Sequence, residues 1–469
     1  MGYSGSLNRG NSVNRSKTPR HIYIDCSGTF YTGFNTGIQR VVRNITIRSK
    51  KMEERYNIPV TPVIAIMGRF VGINPDNLSG RFYKGAKKTP FDRLSGYYLG
   101  AEKKIKINDK TPKYAGKNFK LTILANIRTG LKNIFQTGFF IYLFALRGFK
   151  FKPVKIGPND LIFLPDTYWS FNVLSIAGKY KTKKGAEIIT LVHDIIPVTY
   201  PQFYDSLRVG EIIRGINEMA GRSGGFICNS GYCADELKNY LKKRRLFKQI
   251  DYFYPGNDLG EKRDAGRPPS IRSDIKSILE HKNTYLMVGT IEPRKNHLFV
   301  LDIFEDLWNR GFSVNLIIAG APGWNCGNIL KRFRNSKYAG NCLFVYNDIN
   351  DAELEYLYKN SKALIAASLA EGFGLPLVEA AGCGINVFAS DIPVFREIGK
   401  DYPVYFSPDL KNDLAQKIIS FERAGRVKAL GKKENARPAF KWLSSDESAD
   451  VLFNKILEVY DKINGNVNV

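Results

Sequence analysis

Short apolar runs recur along the chain, each followed by a turn rich in Gly, Ser or Asn and then by apolar positions at helical spacing. Strands are predicted at 21–25, 60–67, 160–165, 187–192 and 225–230, with helices at 37–47, 207–220 and 234–242. A polar stretch with Gly, Pro and charge at 256–276 reads as a linker. The rhythm then restarts, with strands at 284–289, 314–319, 343–346, 364–367 and 386–389. Helices are predicted at 297–310, 330–335, 351–360 and 444–463. Alternating strands and helices imply an α/β fold with parallel sheets covered on both faces. Two such halves make two Rossmann-like domains facing a cleft, with ligands beyond the carboxyl ends of the strands. The expected divisions are a disordered basic tail at 1–20, an N-terminal domain at 21–257, and a C-terminal domain at 258–445. A last helix at 446–469 is expected to pack back toward the N-terminal domain.

One segment breaks the alternation. Residues 110–159 hold ten Lys or Arg and no Asp or Glu, inside an insert at about 84–156. Apolar blocks alternate there with single cations, and the span is too long for an ordinary connection. It reads as a basic amphipathic element, at about 110–152, lying on an anionic membrane surface. A helical hairpin capping the first domain is the alternative.

Composition sharpens this reading. Lys and Arg number 70 against 44 Asp and Glu, a net charge of +26, so a polyanionic partner is expected. No nucleic-acid-binding motif occurs, and the apolar residues come in blocks rather than as interleaved stacking aromatics. A membrane face is therefore favoured and nucleic acid is not expected. The six Cys lack paired spacing and stand beside no His pair, so free thiols in a reducing cytosol are expected and a metal site is not. The first twenty residues lack the apolar core of a secretory leader, and no apolar run reaches 18 residues. The expected location is the cytoplasm, peripheral on the inner face of the cell membrane.

The densest candidate chemistry is the stretch EGFGLPLVEAAGCG at 371–384, in the order strand, glycine loop, helix. Gly372 and Gly374 let a ligand approach the backbone. Pro376 suits a helix's first turn, and the free N–H groups there form an anion site. Glu371 and Glu379 bracket it, as acceptors for ligand hydroxyls. Arg294 and Lys295 follow a strand end and suit a diphosphate. A helix start at Gly37 offers N–H groups to the same group, and His193 leaves a strand end with Asp194 beside it. Ser230 is read as the cap of the following helix.

These blocks together resemble the glycosyl transferases group 1 family, retaining nucleotide-sugar glycosyltransferases of the GT-B fold with an E-x7-E motif. The stretch at 371–384, GTIEPRKN, VHDIIPVTYP, the GIQR helix start and ASDIPVFREI carry the likeness, over roughly 21–460 outside the insert. The resemblance implies an N-terminal acceptor-binding domain and a C-terminal nucleotide-sugar-binding domain. It implies that Glu379 binds the ribose hydroxyls and that Glu371 faces the donor sugar. Gly374 and Leu375 N–H groups, with Lys295 and Arg294, would hold the phosphates. Gly37 would touch the diphosphate, His193 would lie near the reacting sugar, and Thr290, Ile349, Gly372 and Phe373 complete the donor contacts. Two departures stand out: Thr36-Gly37 replaces a Gly-Gly pair, and Thr290 stands where many members have Arg. No D-x-D tripeptide occurs, so no metal and no cofactor are expected. Among nucleotide sugars, GDP-mannose is the first choice of donor, with a glycan, expected in lipid-linked form, as acceptor. A sugar-nucleotide epimerase of the same fold and a silent membrane or polyanion scaffold are the alternatives.

Overall fold

The computed structural model describes residues 17–32, 36–78, 152–167, 172–257, 259, 271–281, 283–424 and 442–465. Most of the insert, including all of 110–151, and most of the tail lie outside the described residues. Two units are distinguished by their internal contacts: residues 21–35 with 42–186, and residues 1–20 and 36–41 with 187–469.

In the first unit, β1 (Ile22–Asp25) is fully buried and pairs in parallel with β2 (Val60–Ile66) and β5 (Leu161–Leu164), Ile22 lying opposite Val60 and Leu161. A strand buried on both faces reads as a continuous apolar run, which is how Ile22–Asp25 announces itself. Two short strands depart from the parallel expectation: β3 (Arg69–Gly72) is antiparallel to β2, and β4 (Lys152–Pro153) is antiparallel to β3. The cause is local. Met67 and Gly68 both take positive φ, 47° and 76°, which is the two-residue turn that folds a strand straight back. The expected loop at 26–36 also contains a short helix, Ser27–Thr32. Its start is fixed by Asp25, whose Oδ1 accepts from Ser27 N at 3.2 Å and Ser27 Oγ at 2.5 Å. Asp25 is fully buried, and its Oδ2 has no partner among the described residues. Burial, then the charge of Asp166, pushes its carboxyl up to about 8.

In the second unit, β6 (Glu187–Val192), β7 (Gly225–Cys228) and β8 (Gln249–Tyr252) run parallel. The C-terminal helix, Ser445–Gly465, packs on them so tightly that a Cβ at Gly225 would stand 2.5 Å from Val459. The same unit holds a six-stranded parallel sheet of β9 (Asn283–Val288), β10 (Val314–Ala319), β11 (Leu343–Tyr346), β12 (Ala363–Ala366), β13 (Asn386–Ser390) and β14 (Val404–Phe406). Side-chain alternation builds an apolar layer on each face: Leu316 and Ile318 join Phe304 and Phe388, while Ile317 and Ala319 join Leu357 and Leu377. The expected linker ends in a helix, Ser273–His281, whose Ile275 is buried in the second of these layers.

The strand order is β11-β10-β9-β12-β13-β14. It therefore reverses between β9 and β12: from β9 the chain steps to β10 and β11 on one side, and from β12 to β13 and β14 on the other. Such a switch point is where open α/β sheets bind ligands.

Candidate functional site

The loop leaving β9 begins at Gly289, with φ +139°, and closes on a short 3-10 turn at Pro293–Lys295. The loop leaving β12 carries Ser368 and Glu371. One backbone bond, Leu369 N to Arg294 O at 2.8 Å, ties the two loops together. Arg294 Nη1 donates to Ala370 O at 2.9 Å and pairs with Glu371 at 2.9 Å. Its Nη2 pairs with Glu292 at 2.7 Å. Lys295 pairs with the other oxygen of Glu371, to which Ser368 Oγ donates at 2.6 Å. All four charged groups are largely enclosed, Glu371 at 10% exposure. Burial alone would raise the Glu371 carboxyl. The charges of Arg294 and Lys295, with the bonds from Lys295 and Ser368, overcome that and hold it down to about 2.

Beyond Glu371 the chain turns through Gly372 and Gly374 into the helix Leu375–Gly382. Gly374 has φ +110°, and a Cβ there would stand 2.7 Å from the Phe395 ring. Gly372 is equally constrained: a Cβ would lie 2.1 Å from the carbonyl oxygen of His193. The Gly372 carbonyl accepts from Ser230 Oγ at 2.6 Å, and Ser230 Oγ itself accepts from Cys233 N at 3.1 Å. Ser230 thus caps its helix as expected and also holds the glycine turn. His193 is mostly buried beside that turn, and Asp194, whose Cβ is 2.9 Å from where a Cβ on Gly372 would stand, accepts from Ile196 N at 3.1 Å. Phe373 packs against both Tyr254 and Trp442, with ring centroids 6.3 and 5.8 Å away. In the first turn of the Leu375 helix, Pro376 has no N–H and Leu377 N donates back to Gly374 O at 3.0 Å, so Leu375 N–H is the donor there without an intrahelical acceptor.

The helix Gly37–Ile47 starts against this turn: a Cβ on Gly37 would be 3.3 Å from Leu375 Cδ1. One turn in, Arg40 pairs with Glu379, and Tyr358 Oη donates to the other Glu379 oxygen at 2.8 Å. Glu379 is 2% exposed. Each oxygen of the expected ribose anchor is therefore engaged by one donor and keeps a second lone pair. Thr290 packs under a turn, its Cγ2 2.4 Å from where a Gly323 Cβ would stand, and Ile349 packs at the margin of the second apolar layer.

Five participants were not read from the sequence: Arg40, Tyr358, Glu292, Ser368 and His297. Arg40 is in the GIQR start itself and could have been flagged by its charge. His297 lines a small cavity with Lys295, Ser368, Glu371, Gly374 and Phe395. Its Nδ1 has no hydrogen-bond partner among the described residues. Burial, then Lys295 and Arg294, lowers its imidazole to about 4 although a bond to the Glu292 backbone opposes them, so it is neutral near pH 7.

Residues 271–437 match the family described as glycosyl transferases group 1. This segment is a glycosyl transferases group 1 domain. It contains Arg294, Lys295, Glu371 and Glu379, while Gly37, Arg40, His193 and Ser230 come from outside it. The serotype-specific mannosyltransferase WbdA of Escherichia coli is 30% identical over 312 residues, 65% of this chain and 38% of that protein. O-antigen chain mannosyltransferase B of Escherichia coli is 25% identical over 235 residues, 49% of this chain and 60% of that protein. The chain thus spans well under half the length of WbdA. The crystal structure of Anabaena HepE in complex with UDP and glucose aligns over 96% of this chain and 98% of that one, with a TM-score of 0.52 at 14% identity. That likeness is one of fold alone, and it agrees with the α/β class read from the sequence. Among the described residues, no helix is long and apolar enough to cross a membrane, and no group of three or more His, Cys, Asp or Glu side chains could hold a metal. All six cysteines are free.

Proposed function

We propose that the chain is a retaining glycosyltransferase that moves a hexosyl group from a nucleotide sugar to a glycan acceptor in bacterial surface polysaccharide synthesis. One observation carries this reading: the buried group of Arg294, Lys295 and Glu371 at the switch point, beside the Leu375 helix start. Two cations and a helix N-terminus converge where a diphosphate leaving group gains charge. Glu371, fixed by three donors, faces the donor sugar. Glu379, fixed by Arg40 and Tyr358, receives the ribose hydroxyls on its remaining lone pairs.

In the proposed reaction the acceptor oxygen bonds to the anomeric carbon as the bond from that carbon to the phosphate oxygen breaks. Both events occur on one face, through an oxocarbenium-like state, which retains the configuration. The acceptor's proton passes to the departing phosphate, whose charge Arg294 and Lys295 stabilise. His193 lies near the reacting sugar. The similarity to proteins named mannosyltransferases supports mannose, carried as GDP-mannose. The acceptor is a lipid-linked glycan, handled at the inner face of the membrane.

A thermal-shift screen of nucleotide sugars tests the donor assignment, because a ligand bound only by the folded state raises apparent stability. GDP-mannose is expected to raise Tm more than UDP-glucose. Equal silence from every nucleotide sugar would remove the proposal.

A further inference from the structure

The helix Gly231–Lys242 starts beside the glycine turn and ends, about 18 Å away, in the most cationic described turn of its unit. Residues 242–248 hold five cations, Lys242, Lys243, Arg244, Arg245 and Lys248, and no acid. The turn is well formed. Arg244 N and Leu246 N both donate to Leu241 O, at 2.9 and 3.1 Å, and Arg245 N donates to Lys242 O at 3.0 Å. Arg245 takes φ +56°, a left-handed conformation that glycine or asparagine adopts more readily. Lys248 Nζ donates to Ser223 O at 2.9 Å and fastens the exit. Between Leu246, half buried, and Lys248, Phe247 is 82% exposed, the largest exposure of any large apolar side chain described.

A single exposed apolar residue is ordinary on a protein surface. An aromatic side chain exposed on a hydrogen-bonded turn rich in cations is not explained by folding, because it removes little apolar surface from water. The combination has the two signals that reversible membrane binding requires, an apolar wedge and a polybasic collar. We propose that this turn docks on an anionic phospholipid surface, Phe247 entering the acyl boundary while Lys242, Lys243 and Arg245 meet lipid phosphates. Arg244 already lies over the Tyr240 ring, 3.7 Å from its centroid, and bonds to Asn217, so it contributes field rather than contact. Strand-binding proteins instead use several aromatic platforms along a cationic groove, and here one ring stands at a tip. Docking at this end of the helix leaves its other end, at Ser230 and the donor turn, clear of the bilayer. The proposal does not depend on the donor assignment.

The test uses the full chain with vesicles of equal parts phosphatidylglycerol and phosphatidylcholine, against vesicles of phosphatidylcholine alone. Each cation near an anionic surface contributes about five-fold to partitioning. The triple variant Phe247→Ser, Lys243→Ser, Arg245→Ser is therefore expected to lose at least ten-fold in flotation with the anionic vesicles, with unchanged Tm. Independently, Phe247→Cys carrying an environment-sensitive dye is expected to shift to the blue on anionic vesicles and not on neutral ones. Flotation of the triple variant equal to that of the parent would overturn the proposal. So would a dye that stays in water on the anionic vesicles, or a patch that binds RNA while ignoring both kinds of vesicle.

Discussion

Arg40 and Glu379 stand 339 residues apart in the chain and form an ion pair, with Arg40 15% and Glu379 2% exposed. The residue expected to hold the donor ribose is thus oriented before any donor arrives. Removing one member of a buried pair leaves an uncompensated charge, whereas removing both does not.

Arg40→Ala is accordingly expected to destabilise the fold by roughly 2 kcal/mol, less than a fully enclosed pair because Arg40 meets some water. Glu379→Gln in the same chain should return much of that loss. Denaturant unfolding of the parent, both single variants and the double variant measures the coupling. Additive effects would show that the pair is not coupled.

The glycine turn is intolerant for steric reasons. Gly374→Ala meets both a φ of +110° and the Phe395 ring at 2.7 Å, and Gly372→Ala meets the His193 carbonyl at 2.1 Å. Each is expected to lose about 2 to 4 kcal/mol of stability. The exposed Gly327→Ala, with nothing within 4 Å of the added methyl, serves as the control and should change stability little. Thermal melts of the three variants check the ranking.

Acid stability should fall in two steps. His297 has its ordinary value of 6.5 lowered to about 4, so the fold resists its protonation and stability is lost as pH falls from about 6.5 to 4. Glu371 is lowered from 4.5 to about 2, so its contribution is present above 4.5 and is lost as pH falls toward 2. Each step is on the order of 3 kcal/mol. His297→Gln should flatten the upper step and Glu371→Gln the lower one in unfolding curves taken across pH.

Asp25 predicts the opposite slope. Its carboxyl is raised from 3.8 to about 8, so the folded state holds a proton that the unfolded chain releases. Stability from this group is complete below 3.8 and is lost as pH rises through 8. Asp25→Asn should therefore raise Tm more at pH 8 than at pH 4. A pH-independent effect would contradict the assignment.

What could be read in advance divides along physical lines. β1 and the inner strands of the six-stranded sheet, such as β10 and β12, are buried on both faces, so their apolar runs are visible without tertiary information. The hairpin into β3 was hidden because its turn, Met67-Gly68, lacks the usual Asn-Gly or Asp-Gly signature. Lys295 and Glu371 were legible as site residues because each follows a strand end in a recognisable block. Their mutual ion pair was not, since pairing over 76 residues is a property of strand order. Arg40 was overlooked because nothing in the GIQR helix start says which carboxylate its side chain meets. The double duty of Ser230 was half legible: capping is local, but its bond to Gly372 spans 142 residues.

The most direct measurement is transfer itself. The full chain is incubated with GDP-mannose and an oligomannose acceptor, and the product is analysed for mass and anomeric configuration, alongside the Lys295→Ala variant. The expected result is an acceptor extended by one or more α-linked mannoses, with turnover by the variant lower by about 100- to 1,000-fold at a stability loss of only about 2 kcal/mol. Turnover by folded Lys295→Ala equal to that of the parent, or a product of inverted configuration, would contradict the account.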